Sequence, residues 1–420
     1  MSTKVVILGG SGVATPELAA ALSEIPDRQL PLEVVLVGRS AQKLALIADI
    51  ARLMAGNDPL LKISCTTDTA AALQGAALVL NQLRVGGLEA RAFDETYPHE
   101  FGLPGEETVG PGGFANASRT IPTVVEYARL VEQICPQAVL LTFANPSSLV
   151  QYAITQQTGL ARVIGLCDGP ITLSEAIARA LQAPLGELEV DYVGMHHFGW
   201  AVGVWRSGQD VLAQTLAQAA LAAPEVEPAI TQAIGAIPGP YLNYVFHPDR
   251  MLAKKQGKRP RAGELLDLQD ELLAEYEQAR AQGQKPAGLV KRKAKWYRAI
   301  IAPVIVALLE KRTARFALNL VNHSTLPWLP EDAIIEVPCL LHNGVVRPLS
   351  PGQPPPDVRA LLQRNCAYEQ LAVKAILAKD RPQALRALLQ NPIIHTYEQA
   401  RLTLEKAWGP AQFAPSRTKE

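Results

Sequence analysis

Cys167 is followed at once by Asp168 in "GLCDGP". Further along, "VGMHHFGWAV" carries His196 and His197 beside an aromatic patch. A thiol, a carboxylate and two imidazoles each close an apolar run. Thiolate and imidazole are soft to borderline donors, and substrate oxygens and water can fill the other positions around a divalent ion. The bland alternative is a buried free cysteine, a common core residue, beside a structural histidine. Spacing alone leaves both readings open.

A second candidate site opens the chain. "KVVILGGSGVATPEL" runs from a β-branched stretch through Gly9, Gly10, Ser11 and Gly12 into a helical pattern with Pro16 at its first turn. Gly10 and Gly12 supply the first half of G-x-G-x-x-G, which lets backbone N–H groups approach a phosphate. Thr15 stands where the third glycine is expected. The next strand ends in Gly38, Arg39 and Ser40 rather than in the Asp or Glu that accepts from a ribose 2′-hydroxyl. An arginine there holds a 2′-phosphate, so NADP is favoured over NAD.

These residues need a scaffold. "LEVVLVGRS", "KISCTT", "AALVLNQL", "AVLLTFANPSS" and "RVIGLCDGP" read as further strands, with helical patterns such as "TVVEYARLVEQIC" between them. Alternation of this kind predicts an α/β, Rossmann-like, doubly wound, mostly parallel sheet. Residues 84, 91, 145, 167 and 168 then fall at or beyond strand ends, where ligands bind in such folds. The pattern changes near residue 190. "EVDYVGMHHFGW" and "AIIEVPCLL" read as strands, "AIIAPVIVALLEK" and "YEQLAVKAILAKD" as helices, and "KKQGKRPRAG" as a basic loop. The expected division is a dinucleotide-binding domain over 1–190 and a second α+β domain over 191–420, for substrate and oligomerisation.

Composition sets the bounds. The chain has 420 residues, 48% of them hydrophobic and 19% charged, enough for two domains. Lys+Arg and Asp+Glu are both 40, so no global field favours nucleic acid or a membrane surface. No apolar stretch is long enough to cross a bilayer, and the five cysteines are too scattered for a disulfide framework. A cytoplasmic protein acting on a small molecule is expected.

Over nearly its whole length the sequence resembles the family-4 glycoside hydrolases, which are NAD(H)- and divalent-metal-dependent 6-phospho-glycosidases. The resemblance rests on "GGSGVATPEL", "LRVGGLEARAFDE", "GLPGEETVGPGGFANASRTIP", "FANPSSLV", "IGLCDGP", "GMHHFGW", "PGPYLNYVFHPD", "RAGE" and "LPEDAIIEVPCLL", in the family's order. It implies a lactate/malate dehydrogenase-like fold and an oxidation–elimination mechanism, an exception to two-carboxylate glycosidases. Nicotinamide oxidises the sugar C3 hydroxyl, a base takes the acidified C2 proton, the aglycone leaves C1, water adds and the hydride returns.

The resemblance also implies roles. Cys167 and His197 match the family's metal ligands for an ion such as Mn²⁺. His196 stands where members often have Asn, as an extra ligand or a sugar contact. Asp168 matches a carboxylate that protonates the leaving oxygen, and members with Asn there tend to cleave β-linkages. Tyr241 matches the base, with Tyr244 as fallback; its phenol needs nearby positive charge, from the metal or Arg261, to work near pH 7. Asn145 and Glu107 match active-site positions, and Glu106 replaces the usual Gln. Arg91 and Arg261 match the pair that holds a 6-phosphate, although Arg91 is also spaced to pair with Asp94 or Glu95 on a helix face. "KRKAKWYR" departs from the family, which often has small residues after Lys-Arg. A homodimer or homotetramer is implied. The competing readings are an ordinary nicotinamide dehydrogenase and a nucleotide-binding protein with a decayed site.

Overall fold

The computed structural model describes residues 2–408. Six short strands, β1 (Thr3–Leu8), β2 (Leu32–Val37), β3 (Leu61–Thr66), β4 (Ala76–Asn81), β5 (Val139–Thr142) and β6 (Val163–Gly165), pair in parallel in the order β6-β5-β4-β1-β2-β3. β1, β4 and β5 are apolar and nearly all buried because helices cover both faces of the sheet. Strand order reverses between β1 and β4, which makes the crevice beyond Leu8 and Asn81 the topological switch point.

The later strands extend the same sheet. β7 (Leu188–Met195), β8 (Phe198–Arg206), β9 (Gln209–Asp210), β10 (Ile237–Pro238), β11 (Ala314–Val321), β12 (Ile334–His342) and β13 (Val345–Pro348) all pair antiparallel. β11 joins β6, and the order continues β12, β7, β8, β10. The second half is therefore joined to the first by strand pairing.

Two expectations are corrected and a third, weakly marked strand is borne out. "EVDYVGMHHFGW" is not one strand: β7 and β8 form a hairpin with His196 and His197 at its turn, and His197 takes a positive φ of 60°. Close strand approach requires glycine on each side, since a Cβ on Gly194 would lie 2.3 Å from the Gly199 Cα. Arg91 does not sit at a strand end; it lies within the helix Gly87–Thr96 that follows β4. "KISCTT", a weak strand by pattern, is a fully paired β3. Pro16 does open its helix, Pro16–Ser23.

The loop "GLPGEETV" is pressed onto the helix Gly110–Ile134. A Cβ on Gly112 would meet the Glu106 carbonyl at 2.2 Å, and one on Gly113 the Thr108 carbonyl at 2.6 Å. Those glycines let Glu106, Glu107 and Thr108 approach the sheet's carboxyl edge.

Candidate functional site

The glycine loop divides its work. Gly9 has φ +83°, and a Cβ there would lie 3.0 Å from the Gln82 carbonyl. A Cβ on Gly10 would meet Leu36 at 2.8 Å. These two glycines seat β1 between its neighbours. Gly12 is open: its virtual Cβ meets only the Thr15 hydroxyl at 3.3 Å and the Gly9 carbonyl at 3.8 Å. Thr15 is not a defect of the motif. Its hydroxyl accepts from Gln82 Nε2 at 3.0 Å, and the Tyr297 hydroxyl donates to Gln82 Oε1 at 2.9 Å. Tyr297 belongs to "KRKAKWYR", so that segment is tied to the switch point. Ser11 packs against Gly38. Ser40 caps the helix Ala41–Ala55 by accepting from the Lys43 N–H. Arg39 is exposed and has no ion pair among the described residues.

Cys167 follows β6, and its Sγ accepts from the Gly169 N–H at 3.2 Å. The hairpin turn brings His196 and His197 to it: one donor atom from each of the three lies within 4.8 Å of the others. The Thr108 hydroxyl is 3.0 Å from His197 Nδ1, which leaves Nε2 as the free ring nitrogen. His196 is buried and makes no hydrogen bond among the described residues. Burial pushes the His197 imidazolium down to about 3 and that of His196 well below its ordinary value, so both rings are neutral lone-pair donors at pH 7. The donor set fits a divalent transition metal.

Beside these donors opens a cleft of about 570 Å³, lined in part by Asp168, Tyr241, Tyr244, Glu106, Lys255 and Arg261. Asp168 precedes the helix Gly169–Ala180 but makes no side-chain cap, so its carboxyl is left to the cleft. Burial pushes that carboxyl up, against its own backbone N–H and Lys295. The Tyr241 ring stacks on His197, and His197 stacks on His196.

The electrostatics of Tyr241 differ from expectation. Burial, then Glu106, Cys167 and Asp168, push its phenol well above the usual value. Arg261 does not offset this: it is half-exposed at the start of the helix Arg261–Gln282 and pairs with Glu264. A cation does sit on Tyr244: Lys255 lies 4.9 Å over its ring and, with the Tyr244 hydroxyl, holds Glu106, at 3.0 and 3.1 Å.

Arg91 is half-buried against two carboxylates, Glu95 at 2.7 Å and Glu107 at 2.8 Å. Glu107 also pairs with Arg84. Burial opposes ionisation of Glu107, but the Arg84 and Arg91 guanidiniums outweigh it and hold its carboxyl below the ordinary range. Arg91 and Arg261 are thus both within reach of carboxylates, one deep and one at the rim. Asn145, beyond β5, is half-buried with no hydrogen bond among the described residues.

Three further residues were not singled out from the sequence. Arg292 stacks over Trp296 at 5.0 Å and has no ion pair among the described residues. Burial, then Arg91 and Arg84, push its guanidinium down to about 10. Thr108 orients His197 from a distant loop. Glu336 is fully buried in β12 and accepts from Asn319 Nδ2 at 2.7 Å and the Tyr192 hydroxyl at 2.9 Å. Only the "KR" of "KRKAKWYR" and the lone acid inside "AIIEVPCLL" marked two of these positions.

Residues 4–183 match the family model for family 4 glycosyl hydrolases, and residues 192–394 match that for their C-terminal domain. The chain is 30% identical to a 6-phospho-beta-glucosidase of Escherichia coli (strain K12), over 95% of this chain and 93% of that one. It is 26% identical to the phospho-alpha-glucosidase PagL of Clostridium acetobutylicum, over 96% of both chains. The structure of the Thermotoga maritima 6-phospho-beta glucosidase with NAD and glucose-6-phosphate superposes with a TM-score of 0.87 at 28% identity, covering 96% of this chain and 97% of that one. Malate dehydrogenase of Cryptosporidium parvum shares the fold alone, with a TM-score of 0.55 at 13% identity over 90% of this chain and all of that one. The chain belongs to family 4 of the glycosyl hydrolases.

Proposed function

We propose that this protein hydrolyses a 6-phospho-glycoside with a bound nicotinamide nucleotide and a divalent metal such as Mn²⁺. The observation that carries this reading is an adjacency: Asp168 and Tyr241 line the cleft, Tyr241 stacks on His197, and Cys167, grouped with His197, immediately precedes Asp168. When bound, nucleotide and ion together supply a hydride acceptor at sugar C3 and a positive charge at its oxygen. Cys167 and His197 hold the ion, with His196 as an extra ligand or sugar contact and Asn145 as a residue near the ion and sugar. Tyr241 accepts the C2 proton, for which its phenol must first be brought down by the charge that the donor pair holds. Asp168, whose carboxyl burial pushes up, gives its proton to the leaving oxygen at C1. Glu107 orients Arg84 and Arg91, and Arg91 with Arg261 receives the 6-phosphate.

The nucleotide lies on Gly9, Gly10, Ser11 and Gly12, with Arg39 and Ser40 at the ribose end. NADP is favoured there because Arg39 is exposed and unpaired among the described residues. The nucleotide domain comprises residues 1–190 and the substrate and oligomerisation domain 191–420. We further infer a cytoplasmic homodimer or homotetramer; no described helix is long and apolar enough to cross a membrane. A dehydrogenase of the malate/lactate type is disfavoured because the sequence shows no motif that matches its His–Asp relay, and His196 and His197 are grouped with Cys167 instead.

The test is turnover of 6-phospho-glycosides of both anomers in D₂O with NAD(P) and Mn²⁺. Deuterium at C2 of the released sugar, with no net nucleotide reduction, is the expected result. Hydrolysis that leaves C2 unlabelled, or net reduction with a hydroxy acid, would sink the assignment.

A further inference from the structure

Asn319, Glu336 and two glycines lie in one row across four strands. Gly165 of β6 pairs with Asn319 of β11, Asn319 with Glu336 of β12, and Glu336 with Gly194 of β7. The row joins the two metal-donor segments. Cys167 lies just beyond Gly165, and His196 and His197 just beyond Gly194. At both junctions the strands register through a single residue pair, Asn319 with Gly165 and Glu336 with Gly194. Backbone pairing alone is therefore thin at the two seams that set the spacing between the donors.

Side chains supply what the backbone lacks. Glu336 accepts from Asn319 Nδ2 at 2.7 Å and from the Tyr192 hydroxyl at 2.9 Å. Gln151 Nε2 donates to the Asn319 carbonyl at 3.0 Å and the Val163 carbonyl at 3.2 Å. The sequence clears space for this network. A Cβ on Gly165 would lie 2.8 Å from the Asn319 Cβ, and one on Gly199 2.1 Å from the Tyr192 oxygen. Glu336 is fully buried and has no ion pair among the described residues. A carboxyl in that setting is costly, and a well-packed apolar side chain would give a more stable sheet. Stability alone does not account for an acid here.

We propose that Glu336 is a positioning residue of the metal centre. Its carboxyl clamps the strand end that carries Cys167 to the hairpin that carries His197, so the donors are held together before the ion arrives. Hydrogen-bonded groups behind metal ligands act in this way by fixing ligand orientation. The inference rests on the metal reading of Cys167 and His197.

The test measures Mn²⁺ affinity of the full-length protein, from the loss of the free-ion electron paramagnetic resonance signal, with thermal melting alongside. Glu336→Ala should bind Mn²⁺ about ten- to a hundred-fold more weakly. Glu336→Gln should stay within about threefold, because an amide offers an oxygen to Asn319 and a donor to the Tyr192 oxygen. Tyr192→Phe keeps the ring and removes one clamp bond, and should weaken binding by about three- to tenfold. Glu369→Ala, which removes another buried carboxyl held by Ser148 and Asn365, should lower the melting temperature and leave Mn²⁺ affinity unchanged. Wild-type affinity in Glu336→Ala overturns the inference, as does equal weakening in Glu369→Ala. Should Glu336→Ala fail to fold, unchanged affinity in Tyr192→Phe overturns it instead. Cys167→Ala separates the two levels. If it binds Mn²⁺ like wild type, the metal reading itself falls; if it loses the ion while Glu336→Ala retains it, only the clamp falls.

Discussion

The Tyr241 ring lies 3.8 Å from the His197 imidazole, with the two planes 6° apart. The proposed metal donor and the proposed base are therefore in van der Waals contact, and a charge held at His197 would act on the Tyr241 phenol at close range. Without that charge, burial and the surrounding acids keep the phenol protonated. Tyr241→Phe preserves the stack and removes only the hydroxyl. It should fold, bind nucleotide and bind Mn²⁺ as wild type does. Turnover should fall by about 10²–10⁴-fold, the usual contribution of a positioned acid–base group. Deuterium exchange at C2 should fall with it. A variant that exchanges C2 at the wild-type rate would remove Tyr241 from the proton transfer.

Arg39 tests the nucleotide preference. It is exposed beyond β2 in a position without a carboxylate, and removing it leaves no buried partner stranded. Arg39→Ala should weaken NADP(H) by roughly ten- to a hundred-fold, the loss of one charge-assisted contact worth about 1.5–3 kcal/mol. NAD(H) binding should hardly change. Parallel losses for both nucleotides would show that Arg39 does not read the 2′-phosphate.

These sites were unequally visible in the sequence. The glycine loop stands out because a strand end and a turn carry local signals, whereas Cys167, His197 and Tyr241 are singled out by the family motifs around them. The His196–His197 turn was hidden, since apolar residues continue through it and no Asn-Gly pair marks the bend. The loss of the third loop glycine became intelligible only when Thr15 met Gln82 and Tyr297, residues far apart in the chain. Glu336 was hidden for the same reason. Its partners Asn319 and Tyr192 lie on other strands, and register is a tertiary property that periodicity does not encode. The expected pairing of Arg91 with Glu95 was readable from helical spacing, but its second partner, Glu107, comes from a loop.

Glu369 gives the fold a pH dependence. Burial pushes its carboxyl up to about 8, against hydrogen bonds from Ser148 and Asn365. The unfolded chain releases the same proton near about pH 4.3. Between those values the folded protein binds more protons than the unfolded one, so this group's contribution to stability falls as pH rises. Below the window both states are protonated, and above it both are ionised. Glu369→Gln cannot ionise and should lose that slope. Its melting temperature relative to wild type should rise between pH 5 and pH 8. A constant difference across the window would mean that Glu369 titrates at an ordinary value.

Arg292 makes the last prediction, because its two roles move in opposite directions. Its guanidinium is stacked on Trp296, has no acid partner among the described residues, and sits in the field of Arg84 and Arg91. A cation so placed destabilises the unliganded protein and favours an incoming anion. Arg292→Met keeps an unbranched stem against Trp296 and removes the charge. The unliganded variant should melt no lower than wild type. Its KM for a 6-phospho-glycoside should rise about tenfold or more, the cost of one charged hydrogen bond to phosphate. Activity on an unphosphorylated glycoside, where measurable, should not change. Addition of inorganic phosphate should raise the melting temperature of wild type and do so less for the variant. A variant that melts lower than wild type and binds phosphate equally well would make Arg292 a structural residue, and the anion would then rest on Arg91 and Arg261 alone.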